Sequence, residues 1–315
     1  MASILNILAP IFLIIVLGAL LRVTRFAPPE LFRGTNRLVY WVAMPCALFY
    51  QTAEARIEGG AAFRVFATLV IAGFTCMALA YLVGRGLRLQ PRQLGSFVQG
   101  SFRANVAFVG LPVILLAFAQ ANKLVTAEVA GLAVLAIAFL IPLYNLATVA
   151  LLTALLRPET ASRSAQLRSI VRDVITNPLV VSSVGGLVFS FAGWPLPPIA
   201  RQTLKLIGDM TTPLALISIG AGLALVSARA GLALAVTAAL IKVGVAPLVG
   251  YLVAPHIGLT PVELRVAMIF LACPTASASY IMAQMMGADD ALAGSIILTS
   301  TILSFPALSI ALLLT

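Results

Sequence analysis

Long apolar segments recur along this sequence from one end to the other, and they constrain its fold more than any other feature. Of the 315 residues, 61% are hydrophobic and only 10% are charged, whereas an ordinary soluble domain carries about 25% charged residues. A soluble fold has no interior large enough to bury so much apolar surface. A helix needs about 20 predominantly apolar residues to cross a bilayer. The sequence therefore predicts an all-α polytopic membrane protein whose main surroundings are the lipid bilayer.

Ten apolar segments of suitable length are found, five on each side of a polar stretch at residues 157–173. We predict that residues 1–156 form a first five-helix repeat, that 157–173 form a linker, and that 174–315 form a second five-helix repeat. The predicted spans are residues 4–21, 38–53, 65–84, 94–119, 129–156, 174–191, 206–226, 231–254, 266–286 and 291–314.

Lysine and arginine residues outside these spans are distributed unequally between the two faces of the membrane. Twelve follow spans one, three, five and seven, and six lie in the alternate loops. Cytoplasmic loops carry the excess of positive charge. We therefore expect a cytoplasmic linker and two non-cytoplasmic termini. The net charge of +10 is not concentrated in a basic patch interleaved with aromatic residues, so nucleic acid is not an expected partner.

The two halves of the chain share landmarks at a fixed separation. A shift of 168 residues superimposes Pro10 on Pro178, Gly18 on Gly186, Pro45 on Pro213 and Phe102 on Phe270. Because a unit of five spans is odd-numbered, its second copy enters the membrane in the opposite orientation. We therefore predict an inverted repeat, the arrangement of many secondary transporters.

Spans four and nine occupy corresponding positions in the two halves, and both contain helix-breaking residues near their centres. Span four reads SFRANVAFVGLP over residues 101–112, and span nine reads FLACPTASASY over residues 270–280. Proline removes a backbone donor, and glycine lowers helix propensity. Paired discontinuous helices mark transport sites, and their free N–H groups suit an anion. We predict a site for a small organic anion there; a simple proline kink is the alternative.

Polar residues near the breaks are the candidate ligands of that anion. Asn105 can donate its amide to a carboxylate, and Thr275, Ser277 and Ser279 offer hydroxyls; hydrogen bonding between neighbouring helices is the alternative role. Arg103 lies about 10 residues into span four, roughly 15 Å at 1.5 Å per residue. A charge so deep is by default functional, although an arginine can also snorkel to the interface.

Two further charges are predicted inside the membrane. Lys242 lies deep in span eight, and Asp209 is the clearest acid near a span centre. Whether Asp209 pairs with Arg103 or with Lys242 is left open by the sequence. The sum of these charges is +1, which favours a monovalent organic anion. Asp209, Thr275 and Ser279 are also candidates for binding a coupling ion, Na+ or H+.

The residues of an intramembrane enzyme are missing from the sequence. His256 is the one histidine, and neither an HExxH nor a GxSxG motif occurs. Cys46, Cys76 and Cys273 lie in apolar runs without CxxC spacing, so we expect no disulfide, no metal site and no cofactor. A channel or a receptor is a less favoured alternative to a transporter.

Several motifs together resemble the auxin efflux carrier family. They are APIFLIIVLGALLR, LVYWVAMPCALF, SFRANVAFVGLP, TNPL, TPLALISIGAGL and CPTASASYIMAQMMGADD, which are spread over nearly the whole chain. The resemblance implies ten helices in a five-plus-five inverted repeat, with broken helices four and nine crossing as in relatives of sodium bile acid symporters. It implies a scaffold of spans one, two, six and seven that forms a homodimer, and a mobile transport unit of the remaining six.

The same resemblance implies a bacterial inner (plasma) membrane protein that moves a small carboxylate, auxin-like or dicarboxylate, by alternating access. A sodium- or proton-coupled symporter of the same fold is the alternative. The short linker differs from the long loop of the plant carriers, which puts control by loop phosphorylation in doubt. The site residues carried over from the family are Asn105, Val106, Gly110 and Pro112 at the first crossing, with Pro274 and Thr275 at the second.

Overall fold

The computed structural model describes residues 2–54, 60–118, 123–156, 163–223 and 231–314. Every regular element in these ranges is helical, so the predicted all-α class is confirmed. The α-helices are α1 (Ala2–Val23), α2 (Pro29–Leu38), α3 (Met44–Ala53), α4 (Gly60–Gly86), α5 (Pro91–Phe102), α6 (Leu111–Ala117), α7 (Lys123–Leu156), α8 (Arg163–Thr176), α9 (Pro178–Phe191), α10 (Pro198–Asp209), α11 (Thr211–Leu223), α12 (Leu232–Leu240), α13 (Ala246–Ile257), α14 (Pro261–Ala272), α15 (Ala278–Met286) and α16 (Asp290–Leu314). Three π-helical segments, Val39–Ala43, Val106–Gly110 and Ile241–Val245, connect α2 to α3, lead into α6 and connect α12 to α13.

Within the described part of the chain, five helical stretches are long and apolar enough to cross a membrane, and their lengths and compositions are those of a polytopic membrane protein. Shorter apolar helices occur at Leu13–Val23 and Pro178–Phe191. The count of ten spans stays a prediction. The five long stretches are Gly60–Gly86, Glu128–Leu156, Pro198–Ala221, Leu232–Ile257 and Asp290–Leu313.

The predicted linker contains a helix. Helix α8 begins at Arg163 and runs to Thr176, while residues 157–162 lie outside the described residues. Residues 224–226, at the end of predicted span seven, also lie outside them.

Proline determines where many of these helices begin. A first-turn proline has its φ angle already set for a helix, and its missing N–H would have no partner there in any case. At α14 the Thr260 side chain and the Glu263 side chain add a reciprocal capping box. The helices that begin with proline are α2, α5, α9, α10 and α14.

One group of helices, which we call the scaffold group, consists of α1, α3, α9, α10 and α11, with α1 packed on α11 and α3 packed on α9 and α10. Glycines form the closest of these contacts. Gly18 lies against the backbone of Ile217, and Gly220 lies against the backbone of Ile15. Small residues let helices approach closely in lipid, where packing replaces the hydrophobic effect as the main attraction.

The second group, which we call the crossing group, contains α4 to α7, α12 to α14 and α16, and it shares one apolar core that includes Phe97 and Phe270. Another core joins the scaffold group to α15 and α16 through residues such as Ile219 and Tyr280. The chain therefore passes from the first core to the second between α14 and α15, where the sequence predicts the second helix break.

We expect Gly220→Ala to destabilise the protein, because the added methyl group would overlap the carbonyl oxygen of Ile15. Overpacking of this kind costs typically about 1–3 kcal/mol. The measurement is the melting temperature of the purified protein in detergent. Gly131→Ala is the matched control, since a methyl group there meets no atom within 4 Å. A Gly220→Ala variant that melts at the wild-type temperature would contradict the close α1–α11 contact.

Candidate substrate-binding site

Two broken helices meet in the interior of the protein through their backbones. Helix α5 ends at Phe102 and helix α14 ends at Ala272, and the chain after each end is extended. The Asn105 N–H donates to the Pro274 carbonyl at 2.8 Å, and the Ala276 N–H donates to the Arg103 carbonyl at 3.0 Å. These bonds form an isolated antiparallel bridge. The structure thus contains both predicted breaks and joins them.

Side chains reinforce this crossing. The Thr275 hydroxyl donates to the Gly100 carbonyl at 2.6 Å, and the Gln99 amide donates to the Ser279 carbonyl at 3.2 Å. The last carbonyls of a helix have no partner within it, so Thr275 supplies a donor that the end of α5 requires. Thr275 therefore holds the two breaks together.

A small cavity lies between the crossing and helix α3, with a volume of about 70 Å³. At about 10–15 Å³ for each water-sized group, it accommodates roughly five to seven such groups, which is the size of a small carboxylate. The largest apolar side chains that line it are those of Met44, Leu48 and Ile141. The polar side chains that line it belong to Gln51, Arg103, Asn105, Tyr144, Asn145, Thr211 and Ser277.

Arg103 provides the positive charge of this cavity. Only 5% of the residue is exposed. One guanidinium nitrogen donates to Asn145 Oδ1 at 2.8 Å, and another contacts Met282 Sδ at 2.6 Å. Among the described residues no acidic side chain pairs with Arg103 or lines the cavity. Because a guanidinium stays protonated and a buried charge without a counter-charge is costly, the cavity favours an anion.

Two more hydrogen-bonding groups of the cavity have no partner within the described part of the chain. They are Asn145 Nδ2 and Thr211 Oγ1, in residues that are 1% and 4% exposed. Buried polar atoms are nearly always hydrogen-bonded. Both side chains line the cavity, so it offers an N–H donor and a hydroxyl beside the guanidinium.

The second halves of both broken helices begin at the cavity. Val106 starts the π-helical segment that leads into α6, and Ser277 is the N-cap residue of α15. Both residues line the cavity. The free N–H groups at a helix N-terminus carry a partial positive charge, which adds to the attraction for an anion.

Four of the residues predicted for the substrate site line the cavity together: Arg103, Asn105, Val106 and Ser277. The snorkelling alternative is not favoured, because Arg103 is buried within the protein and its guanidinium is bonded to Asn145.

Besides Thr275, four other predicted residues lie near the crossing without lining the cavity. Pro274 contributes its carbonyl to the backbone pairing, and Pro112 lies in the first turn of α6. Gly110 allows α14 to pack closely, since a Cβ there would lie 2.6 Å from Phe270 Cδ1. The hydroxyl oxygen of Ser279 is buried and has no partner among the described residues.

Asp209 lies away from the cavity. It ends helix α10, its side chain is 59% exposed, and it pairs with Lys205 four residues earlier at 2.6 Å. The ion pair with Arg103 or Lys242 that the sequence left open is therefore not formed. Asp209 remains a prediction as a coupling-ion ligand, with no support from this position.

The sequence analysis missed the contributions of α3, α7 and α11 to the cavity. Of these contributions, that of Asn145 could most easily have been predicted, because Asn145 is an amide inside the apolar span at residues 129–156, three residues after Pro142. Gln51 and Thr211 lie near helix ends, where polar residues are common and carry no distinct signal.

This arrangement of broken, crossing helices around a buried site is that of a membrane transport protein. The sequence profile of the family described as "Membrane transport protein" matches residues 3–312, and the chain belongs to this family. The resemblance to auxin efflux carriers is thereby confirmed. The chain is also similar to a protein of Rhizobium meliloti (strain 1021) named "Putative malonate transporter". The two are 22% identical over 311 residues, which cover 96% of this chain and 93% of the relative.

We expect Thr275→Val to destabilise the crossing, because the buried Gly100 carbonyl would lose its donor. An unpaired buried acceptor costs about 1–3 kcal/mol. The measurement is again the melting temperature in detergent. Thr75→Val is the control, since Thr75 is exposed on α4 and its hydroxyl bonds only within its own helix, to the Ile71 carbonyl. Equal effects of the two substitutions would show that the Thr275 hydroxyl does not hold the crossing together.

Proposed function

We propose that this transporter of organic anions is a secondary transporter that moves a small carboxylate by alternating access at the crossing of its broken helices. The observation that carries the proposal is the buried guanidinium of Arg103, which faces a small cavity without an acidic partner among the described residues. The name of the Rhizobium relative, "Putative malonate transporter", supports malonate as the first substrate to test.

The cavity contacts indicate how a carboxylate would bind. One carboxylate would accept from the Arg103 guanidinium and from Asn145 Nδ2, which are already held side by side by their mutual hydrogen bond. The Asn105 amide and the start of α15 at Ser277 would face the rest of the anion. A hydrogen bond to a charged donor is about twice as strong as one between neutral groups. The contact with Arg103 would therefore fix the orientation of the substrate.

The location of the cavity supports the alternating-access mechanism. Gln51 and Thr211 come from the scaffold group, whereas Arg103 and Asn145 come from the crossing group. A movement of one group relative to the other would open the cavity to one side of the membrane and then to the other. We propose that the crossing group moves and that the scaffold group stays in place.

A sodium- or proton-coupled symporter is the second candidate, favoured by one observation. The hydroxyl of Ser279 and the side-chain amide oxygen of Gln99, Oε1, are buried and have no hydrogen-bond partner among the described residues. The two residues are neighbours, since Gln99 Nε2 donates to the Ser279 backbone carbonyl. Transport with and without an imposed ion gradient separates the two candidates.

We also propose the finer arrangement in the membrane. It comprises ten crossings in two inverted repeats, at residues 1–156 and 174–315, in the bacterial inner membrane. A homodimer through the scaffold group is supported by the apolar surface of α1, where Leu13, Leu17 and Leu20 are exposed. Two copies could bury this surface against each other instead of against lipid.

Substitutions in the cavity should weaken malonate uptake into proteoliposomes by different amounts. A hydrogen bond to a charged group contributes roughly 1.5–3 kcal/mol, so Asn145→Ala should weaken binding by about 10- to 100-fold. Arg103→Ala should abolish most uptake, and Arg103→Lys should retain part of it because the charge remains. Arg85→Ala, at an exposed arginine of α4, is the control. Uptake at the wild-type rate by Arg103→Ala would refute the proposed site.

The proposed topology predicts that a protease-cleavable tag at residue 1 or 315 is accessible from outside spheroplasts. A tag inserted at Ser162, in the linker, should be cleaved only in inverted vesicles, because the more basic loops stay in the cytoplasm. Cleavage of both terminal tags exclusively from the cytoplasmic side would reverse the orientation.

A further inference from the structure

A second buried cation lies outside the cavity and is not used by the mechanism above. Lys242 belongs to the π-helical segment Ile241–Val245, and only 1% of the residue is exposed. Its ammonium donates to the Leu271 carbonyl at 2.7 Å. It forms no ion pair within the described ranges, where the buried carboxylate of Glu263 is paired with Arg64. A charge inside a membrane protein is costly and marks a function by default.

The Leu271 carbonyl needs a donor because helix α14 is broken. In a continuous helix this carbonyl would accept from the N–H of residue 275. The Thr275 N–H donates instead to Ser300 Oγ at 3.0 Å. Leu271 is one residue from the end of α14, where unpaired carbonyls form the negative pole of the helix. Lys242 therefore gives this helix end both a hydrogen bond and a positive charge.

At the end of the first broken helix, a neutral group supplies the donor for the unpaired carbonyl. At the end of α5, the Gly100 carbonyl accepts from the neutral hydroxyl of Thr275. In transporters with discontinuous helices, such C-terminal ends and unwound carbonyls coordinate the coupling Na+ or H+. At the end of α14 the corresponding positive charge is supplied by the protein's own Lys242 side chain.

We propose that the Lys242 ammonium takes the place of a coupling sodium ion at the end of α14, so that the transport cycle requires no sodium. The proposal rests on the proposed function and decides against its sodium-coupled alternative. Lys242 acts as a positioning residue: it holds the end of α14, and the residues that follow form the backbone pairing through Pro274 and Ala276. Ile241 and Phe270 belong to one apolar core, so the segment that carries Lys242 and the end of α14 are packed in the same helix group.

Uptake of radiolabelled malonate into proteoliposomes, in sodium chloride or in choline chloride, tests the proposal directly. The wild-type protein should take up malonate at the same initial rate in both salts. A wild-type rate that falls when choline replaces sodium would overturn the proposal.

Two substitutions separate the charge of Lys242 from its bulk. Lys242→Met keeps an unbranched apolar stem and removes the ammonium, and it should lower uptake by about tenfold because a buried carbonyl loses a charged donor. Lys242→Arg keeps the charge and should retain much more uptake. Lys205→Met makes the same exchange at a lysine whose side chain is 54% exposed, and it should transport normally. Lys242→Met with wild-type uptake in sodium-free buffer would overturn the proposal.

A measurement without substrate keeps this test independent of the proposed function and of the folding of the variants. The melting temperature of the wild-type protein should be the same in sodium chloride and in choline chloride, since a bound ion would stabilise the folded state by mass action. A melting temperature that rises with sodium concentration would overturn the proposal that Lys242 takes the place of sodium, whether or not malonate is transported. If malonate is not taken up and sodium has no effect on the melting temperature, malonate is refuted as the substrate. The proposed role of Lys242 at the end of α14 is then retained.

Discussion

The pairing of the two helix breaks through their backbones is the constraint on which the rest of this structure depends. Inside a bilayer no water is present to satisfy free N–H and C=O groups, so irregular backbone survives only where protein or a cavity supplies partners. Here each break supplies partners for the other, through Asn105 with Pro274 and Arg103 with Ala276. The irregular backbone of the site is therefore paired in part within the protein, while the free N–H groups at the helix starts remain directed to the cavity.

Two buried cations, Arg103 and Lys242, lie close to the paired breaks and have different partners. Arg103 directs its charge to the cavity, where Asn145 orients it, and Lys242 directs its charge to the end of α14. One positive charge would be neutralised by the transported anion and the other by the negative pole of a helix. Glycine at the α1–α11 contact gives the scaffold group the close packing against which this crossing group is held.

Several features of the fold and site could be predicted from local sequence, because their physical causes are local. Proline and glycine in spans four and nine marked both breaks, and the position of Arg103 within span four marked a buried charge. The cavity partners could not be predicted in this way. Asn145 meets Arg103 only because α7 packs beside the crossing, and Thr275 bonds to Gly100 across 175 residues of sequence. The sequence also left open whether Asp209 pairs with a buried cation, whereas its side chain is exposed and pairs with Lys205 four residues earlier.

A structure determined with malonate bound tests most directly whether Arg103 and Asn145 bind the carboxylate of the transported anion. We expect malonate in the cavity with one carboxylate about 3 Å from a guanidinium nitrogen of Arg103 and from Asn145 Nδ2, the usual hydrogen-bond distance. Malonate bound elsewhere, with Arg103 still contacting only Asn145 and Met282, would contradict it.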